Sequence, residues 1–178
     1  FADAGPWQGR IHVEHVWGTV VTFDLRAEQL PDDVDEILSD SVAYLHQVDA
    51  WFSTYRADTP VTMLRNGLIE LYRVPQVVRD VLDACAQVKA RTHGAFDPWA
   101  VAGGVDPSGY VKGWAAGQVA DRILRRGVPN VCVNAAGDIA CHGEQRPGEP
   151  WAIGILNPYD TQQVIEVVHV SEGAIATS

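Results

Sequence analysis

After Gly127 the sequence alternates short apolar runs with turn residues and leaves no stretch between them long enough for a crossover helix. The runs at 131–134, 138–142, 151–156, 163–170 and 174–177 read as strands joined by hairpin-like connections. Helical periodicity is confined largely to the other half. Residues 33–52 repeat Val34, Ile37, Leu38, Val42, Leu45, Val48 and Phe52 three and four apart, and Pro31-Asp32-Asp33 places acids at the positive end of that helix. A second helix is predicted over 75–92, with Val78, Val81, Leu82, Cys85 and Val88 inward and Gly94 as its stop, and a third over 114–126. Helices first and strands later imply an α+β domain, not a doubly wound α/β sheet.

The rest of the first half is less regular. Residues 11–25 alternate as a half-buried strand through Ile11, Val13 and His15 and again through Trp17, Thr19, Val21, Phe23 and Leu25, with Gly18 at a bend or bulge. A loop follows the first helix, and Asn66-Gly67 turns the chain into a short predicted strand at 68–73. With 178 residues and 47% hydrophobic composition, the chain is long enough for one folded domain. Thirteen basic against 23 acidic side chains leave a net charge of −10, a field that repels phosphate backbones and anionic lipid and so discounts nucleic-acid and membrane partners. No apolar run approaches the roughly 18 residues of a transmembrane helix. The sequence starts at Phe1, so a leader or lipid anchor would lie outside it and the compartment, cytoplasm or cell envelope, is not legible. Cys85, Cys132 and Cys141 have neither CxxC nor zinc-ligand spacing and are expected as buried thiols.

Three segments carry residues suited to chemistry. Asp106-Pro-Ser-Gly-Tyr-Val-Lys112-Gly113 runs into the third helix, where free backbone N–H groups with Lys112 beside them would make an anion seat; a plain Asp-Pro turn with a solvated lysine is the alternative. Asn134-Ala-Ala-Gly-Asp138 interrupts two apolar runs with small residues that admit a ligand to the backbone, or is an ordinary hairpin turn in which Asp138 bonds its own backbone. In Ser53-Thr-Tyr-Arg56, Tyr55 either stacks on a planar ring or caps the core, and Arg56 is placed to meet an acid. The long loop 94–113 also carries Phe96, Trp99 and Tyr110, an aromatic content that favours function over idle linkage. GxGxxG, HExxH and a serine-hydrolase pattern are absent.

Taken in order, His15-Val-Trp-Gly-Thr19, Val48-Asp-Ala-Trp-Phe-Ser-Thr-Tyr-Arg56, Gly94-Ala-Phe-Asp-Pro98, Asp106 to Gly113, Val133-Asn-Ala-Ala-Gly-Asp138, Trp151-Ala-Ile-Gly-Ile155 and Gly173-Ala-Ile-Ala-Thr-Ser178 resemble the ApbE family of FAD:protein FMN transferases. The resemblance covers nearly the whole chain. It implies an α+β, T-fold-like single domain over residues 1–178, with antiparallel sheets and about three main helices. It implies FAD as substrate, Mg2+ as cofactor, and an acceptor flavoprotein whose serine or threonine hydroxyl receives FMN while AMP leaves. Phosphoryl transfer of this kind needs neutralised phosphate oxygens and an in-line hydroxyl.

Carried over position by position, the resemblance assigns Trp17 to the place of a methionine against the flavin and Tyr55 to the isoalloxazine ring. It places Ala95, Phe96 and Asp97 along the pocket, Asp106 and Lys112 against FAD, and Gly109 as a magnesium ligand through its carbonyl oxygen. Departures from the pattern are also present. Ala136 stands where a glycine is common, and the segment between the Phe-Asp-Pro and Asp106 motifs is short, as in a compact variant. The sequence reaches Thr177-Ser178 where the family continues with a glycine, a His-containing segment and the Asp and Thr that complete the magnesium site. The chain is therefore expected to lack the family's C-terminal segment. Two alternatives follow: an FAD-binding module without turnover, or an FAD pyrophosphatase giving FMN and AMP.

Overall fold

The computed structural model describes residues 7–177. Two compact units divide the chain: one comprises residues 1–42 and 116–178, the other residues 43–115. Among the described residues, the first unit holds every strand. A five-stranded antiparallel sheet contains β1 (Gln8–Val16), β2 (Thr19–Ala27), β3 (Asn130–Ala135), β4 (Asp138–His142) and β8 (Glu172–Ile175), in the order β1-β2-β3-β4-β8. A three-stranded sheet contains β5 (Glu144–Arg146), β6 (Glu149–Asn157) and β7 (Asp160–Val170) in chain order. The predicted antiparallel α+β architecture is what the chain forms.

Strand β2 gives the large sheet its sidedness. Val21, Phe23 and Leu25 are fully buried, and the register sets them beside Ala135, Val133 and Val131 of β3, which are buried too. The same face of β4 presents His142, whose Nε2 lies 2.9 Å from Asp121 Oδ1, so α4 (Ser108–Arg125) covers this side of the sheet. On the opposite face Cys132, Ile139 and Cys141 are buried with Trp151, and Ile153 of β6 and Val170 of β7 pack against them. The Trp151 indole N–H donates to the His142 carbonyl at 2.9 Å, which fixes the ring over this second core.

The region read as one bent strand is a hairpin. Trp17 and Gly18 take φ of 58° and 70° and form a two-residue turn between Val16 and Thr19, the mirror-image geometry that matches strand twist. Such a turn reverses parity. It sets His12 opposite Phe23 and Glu14 opposite Val21, and leaves Ile11 and Val13, expected on the buried face, 56% and 50% exposed.

Helix α1 (Val34–Phe52) starts as predicted, with Asp33 C=O accepting from Ile37 N–H and Asp35 and Glu36 in the first turn. Arg126, just past α4, ties this end of α1 down. Its guanidinium reaches Asp33 at 2.7 Å, Asp40 at 3.1 Å and Glu36 at 3.7 Å. In the second unit, α3 (Gln76–Arg91) buries Val78, Val81, Leu82 and Cys85. Two short elements differ from expectation. Residues 60–65 form α2 (Pro60–Arg65), capped by the Thr59 hydroxyl, which accepts from Thr62 N–H at 3.2 Å. The strand predicted at 68–73 is instead a single 3₁₀ turn over Leu71–Arg73, with Leu68, Leu71 and Tyr72 exposed and no strand partner among the described residues.

The β3–β4 turn has the same form as the first, with Ala136 at φ 50° and Gly137 at φ 95°. An L-residue there pays a left-handed penalty that glycine escapes, so Ala136→Gly should raise stability by about 1 kcal/mol in chemical denaturation. The Arg126 cluster predicts an acid limb. The hydrogen bond from Arg126 holds the Asp33 carboxyl below the usual range. A depressed folded pKa gives stability that is complete above about pH 4 to 5 and declines as pH falls through the folded value. Denaturation midpoints measured from about pH 3 to pH 7 should therefore fall on the acid side, less steeply in Arg126→Met.

Candidate functional site

The sequence-predicted positions fall into two groups, one in each unit. In the sheet-bearing unit, strand register gathers them at one end of the large sheet. Trp17-Gly18 connects at the end where Val16 pairs with Thr19, and Ala136-Gly137 at the end where Ala135 pairs with Val21 and Asp138. Pairing of Ile139 with Ile175 brings the chain after β8 to the same end. There the Thr177 hydroxyl donates to the Gly137 carbonyl at 3.3 Å, and a Cβ on Gly137 would collide with that hydroxyl. Asn134 Oδ1 accepts from Gly137 N–H at 2.9 Å, so the Asn134 side chain braces this turn.

Trp17 is partly buried and holds a left-handed backbone that bulky residues rarely adopt. Strain of that kind costs roughly 1 kcal/mol or more and persists where another requirement retains it. Thr177 was not singled out from sequence. Its signal was weak: a threonine at the end of an apolar run points to the glycine turn only once the β4–β8 register is known.

In the second unit, residues 94–112 assemble around the start of α4. That helix begins at Ser108, six residues before the predicted start, so Ser108 to Lys112 are helical. Asp106 sits just ahead of it. Its Oδ1 accepts from Ser108 N–H at 3.0 Å, and its Oδ2 lies 3.3 Å from Arg65 Nη2, while Arg65 Nε donates to the Val105 carbonyl at 2.7 Å. Burial alone would raise the Asp106 carboxyl, but the Ser108 and Arg65 contacts outweigh it and hold the group below its ordinary range. This geometry revises the anion seat. The Pro107 carbonyl takes the Tyr110 and Val111 N–H groups at 2.9 and 3.0 Å, and a carboxylate already occupies the positive end of the helix.

Phe96 lies against that helix start, its ring edge 3.4 Å from where a Gly109 Cβ would stand. A side chain at 109 would just touch the ring. Asp97 accepts from Trp99 N–H at 3.0 Å and pairs with Lys89 Nζ at 2.8 Å, and the lysine hydrogen bond lowers its pKa. Lys89 also stands 5.6 Å over the Trp99 ring. Ala95 is exposed and Lys112 is half-buried.

Tyr55 is 97% exposed, which removes the core-capping alternative. Beside it Arg56 meets acids as expected, reaching Asp58 at 3.0 and 3.2 Å and Asp49 at 3.7 Å. The tyrosine ring beside it stands in solvent. For a divalent cation the donor set is thin. Among the described residues no three His, Cys, Asp or Glu side chains converge, and Gly109 has only a carbonyl inside the first helical turn to offer.

The chain matches the ApbE family over residues 17–102 and 101–178. It is 40% identical over 75 residues to an FAD:protein FMN transferase of Vibrio cholerae serotype O1 (strain ATCC 39541 / Classical Ogawa 395 / O395), an alignment covering 42% of this chain and 22% of that protein. The chain thus aligns with under a quarter of that curated relative. Among solved structures it superposes on the flavin transferase ApbE from Vibrio cholerae with a TM-score of 0.84 at 23% identity, covering 97% of this chain and 72% of that one. The apo flavinyl transferase ApbE of Pseudomonas stutzeri gives 0.79 at 21%, covering 95% and 67%, and the ApbE protein of Thermotoga maritima 0.84 at 19%, covering 96% and 70%. With the match extending from Trp17 to the end of the sequence, the chain belongs to the ApbE family.

Proposed function

We propose that this chain binds FAD and forms the larger share of an FAD:protein FMN transferase. The observation that carries the reading is the ordered cluster at the start of α4, where Asp106, Phe96 and Gly109 are held by one another's neighbours, together with the exposed ring of Tyr55. In this reading Tyr55 lies against the isoalloxazine ring, a contact that costs the fold nothing because the side chain is already in solvent. Ala95, Phe96 and Asp97 line the pocket. Asp106 accepts a hydrogen bond from a polar edge of the ligand, its charge kept in place by Arg65, and Lys112 faces the diphosphate.

The reaction proposed forms one bond and breaks one. The acceptor's serine or threonine oxygen attacks the FMN phosphorus, the bond to the bridging oxygen of the diphosphate breaks, AMP leaves, and the hydroxyl proton is lost to solvent or base. Magnesium in such chemistry neutralises phosphate oxygens. The roles argued for this chain's own residues are binding and orientation. A second reading is an FAD-binding module without turnover.

Incubation of the chain with FAD, magnesium and an acceptor flavoprotein separates the readings. AMP release matched by covalent flavin on the acceptor supports transfer. FAD binding without AMP supports the module, free FMN plus AMP without acceptor supports the pyrophosphatase, and absence of FAD binding overturns all three. Tyr55→Ala should weaken FAD binding roughly tenfold, a loss of about 1.4 kcal/mol, while leaving the unfolding midpoint unchanged. Asp106→Ala should cost about 1 kcal/mol of stability through its lost helix contact. Asp106→Asn should recover stability without recovering affinity.

A further inference from the structure

The second core holds two thiols that the flavin chemistry does not use. Cys132 and Cys141 are direct partners across β3 and β4, both are free, and their sulfurs lie 3.2 Å apart. The turn fixes what kind of pair they are. Ala135 and Asp138 flank a two-residue turn and are therefore a hydrogen-bonded pair, and pairs alternate along the ladder. Counting back through 134–139 and 133–140 makes Cys132–Cys141 a non-hydrogen-bonded pair, with Cα atoms about 4.5 Å apart. That spacing lies inside the range of about 4.4 to 6.8 Å that a disulfide spans. Both sulfurs already point to the same side, under Trp151.

We propose that Cys132 and Cys141 form an oxidisable dithiol that a small peroxide converts to a cross-strand disulfide. One sulfur, as thiolate, attacks a peroxide oxygen; the O–O bond breaks, the sulfur becomes a sulfenic acid and water leaves. The second sulfur attacks the first, the S–O bond breaks, the S–S bond forms and a second water leaves. Two thiols are oxidised, one peroxide is reduced, and the two thiol protons end in the two waters. The surroundings divide the roles. The hydrogen bond with Cys132 lowers the Cys141 thiol against the opposing pull of burial. That same hydrogen bond, then burial and the charges of Cys141 and Asp24, raise Cys132. Their mutual hydrogen bond lowers one thiol of the pair as it raises the other, so one sulfur ionises first and its partner keeps its proton until the second step.

Burial selects the oxidant. Cys132 is 9% and Cys141 2% exposed beneath a tryptophan anchored to the His142 carbonyl, which admits a peroxide more readily than a bulky alkylating reagent. Cys85 supplies an internal control, since it is buried without a thiol partner and burial pushes it up to about 11. The disulfide would close the ladder directly behind the turn that carries Asn134, Gly137 and Asp138.

The test is hydrogen peroxide treatment of the folded chain, followed by quenching, denaturation, thiol titration and peptide mapping. The expected titre falls from three thiols to one, the peptides holding residues 132 and 141 are joined with the loss of two hydrogen atoms, and dithiothreitol restores all three. The thermal midpoint of the oxidised form should rise by roughly 5 °C. Cys141→Ser should abolish both the cross-link and the shift, and Cys85→Ser neither. Three thiols persisting in folded protein, or cross-linking only between chains or through Cys85, overturns the proposal. So does a thermal shift retained in Cys141→Ser. The mapping of unaltered protein decides the matter even if a variant fails to fold, and its result does not depend on whether the chain binds FAD.

Discussion

The register of β2 against β3 is the constraint on which the sheet-bearing unit depends. Val21, Phe23 and Leu25 are buried beside Ala135, Val133 and Val131, and a slip of one residue would carry all of them to the opposite face. Two-residue turns at 17–18 and 136–137 pin that register from either side, because each fixes which residues face each other in its own hairpin. The same turns fix where the polar groups go. Since β2 and β3 run antiparallel, both turns emerge at one end of the sheet, and the β4–β8 pairing delivers Thr177 there as well. Packing of the core and gathering of Trp17, Gly137 and Asp138 are consequences of one register.

Much of this was legible in the sequence, for a simple reason. The helices α1 and α3 have apolar residues at helical spacing with acids or a stop glycine at their ends, and local rules suffice to find them. The strands after Gly127 are bounded by turn residues on both sides. Where reading went astray, the deciding information was not local. Treating 11–25 as one strand puts Ile11 and Val13 on the face of Phe23, whereas the turn at Trp17-Gly18 inverts that assignment and sets His12 and Glu14 there instead. Tryptophan is a poor turn residue, so Gly18 marked a break in the pattern without announcing a reversal.

The start of α4 illustrates a second kind of error. Asp106-Pro107-Ser108-Gly109 has the composition of a loop, yet the proline carbonyl accepts the first helical bonds and Asp106 bonds the Ser108 N–H. Turn-forming and helix-starting residues are largely the same types, since both must satisfy backbone groups locally. The site residues were legible through the resemblance, but the electrostatics at this helix were not. An acid with Arg65 on one side and a helix end on the other is a different object from an open anion seat, and it directs attention to the hydrogen-bonding edge of a ligand rather than to its phosphate.

Backbone strain ties these strands of argument together. Only three non-glycine residues among those described have positive φ: Trp17, His93 and Ala136. Two of the three stand at the same end of the large sheet, in turns where Asn or Gly would be unstrained. Ala136 bears a small side chain and its strain is modest, so selection for stability alone has little to remove. Trp17 is another matter, for a large ring is the costliest side chain to hold there and a small polar residue would serve the turn better. Its retention is accounted for if the ring itself is what that end of the sheet requires, and an aromatic face beside a glycine turn is a surface suited to a planar ligand.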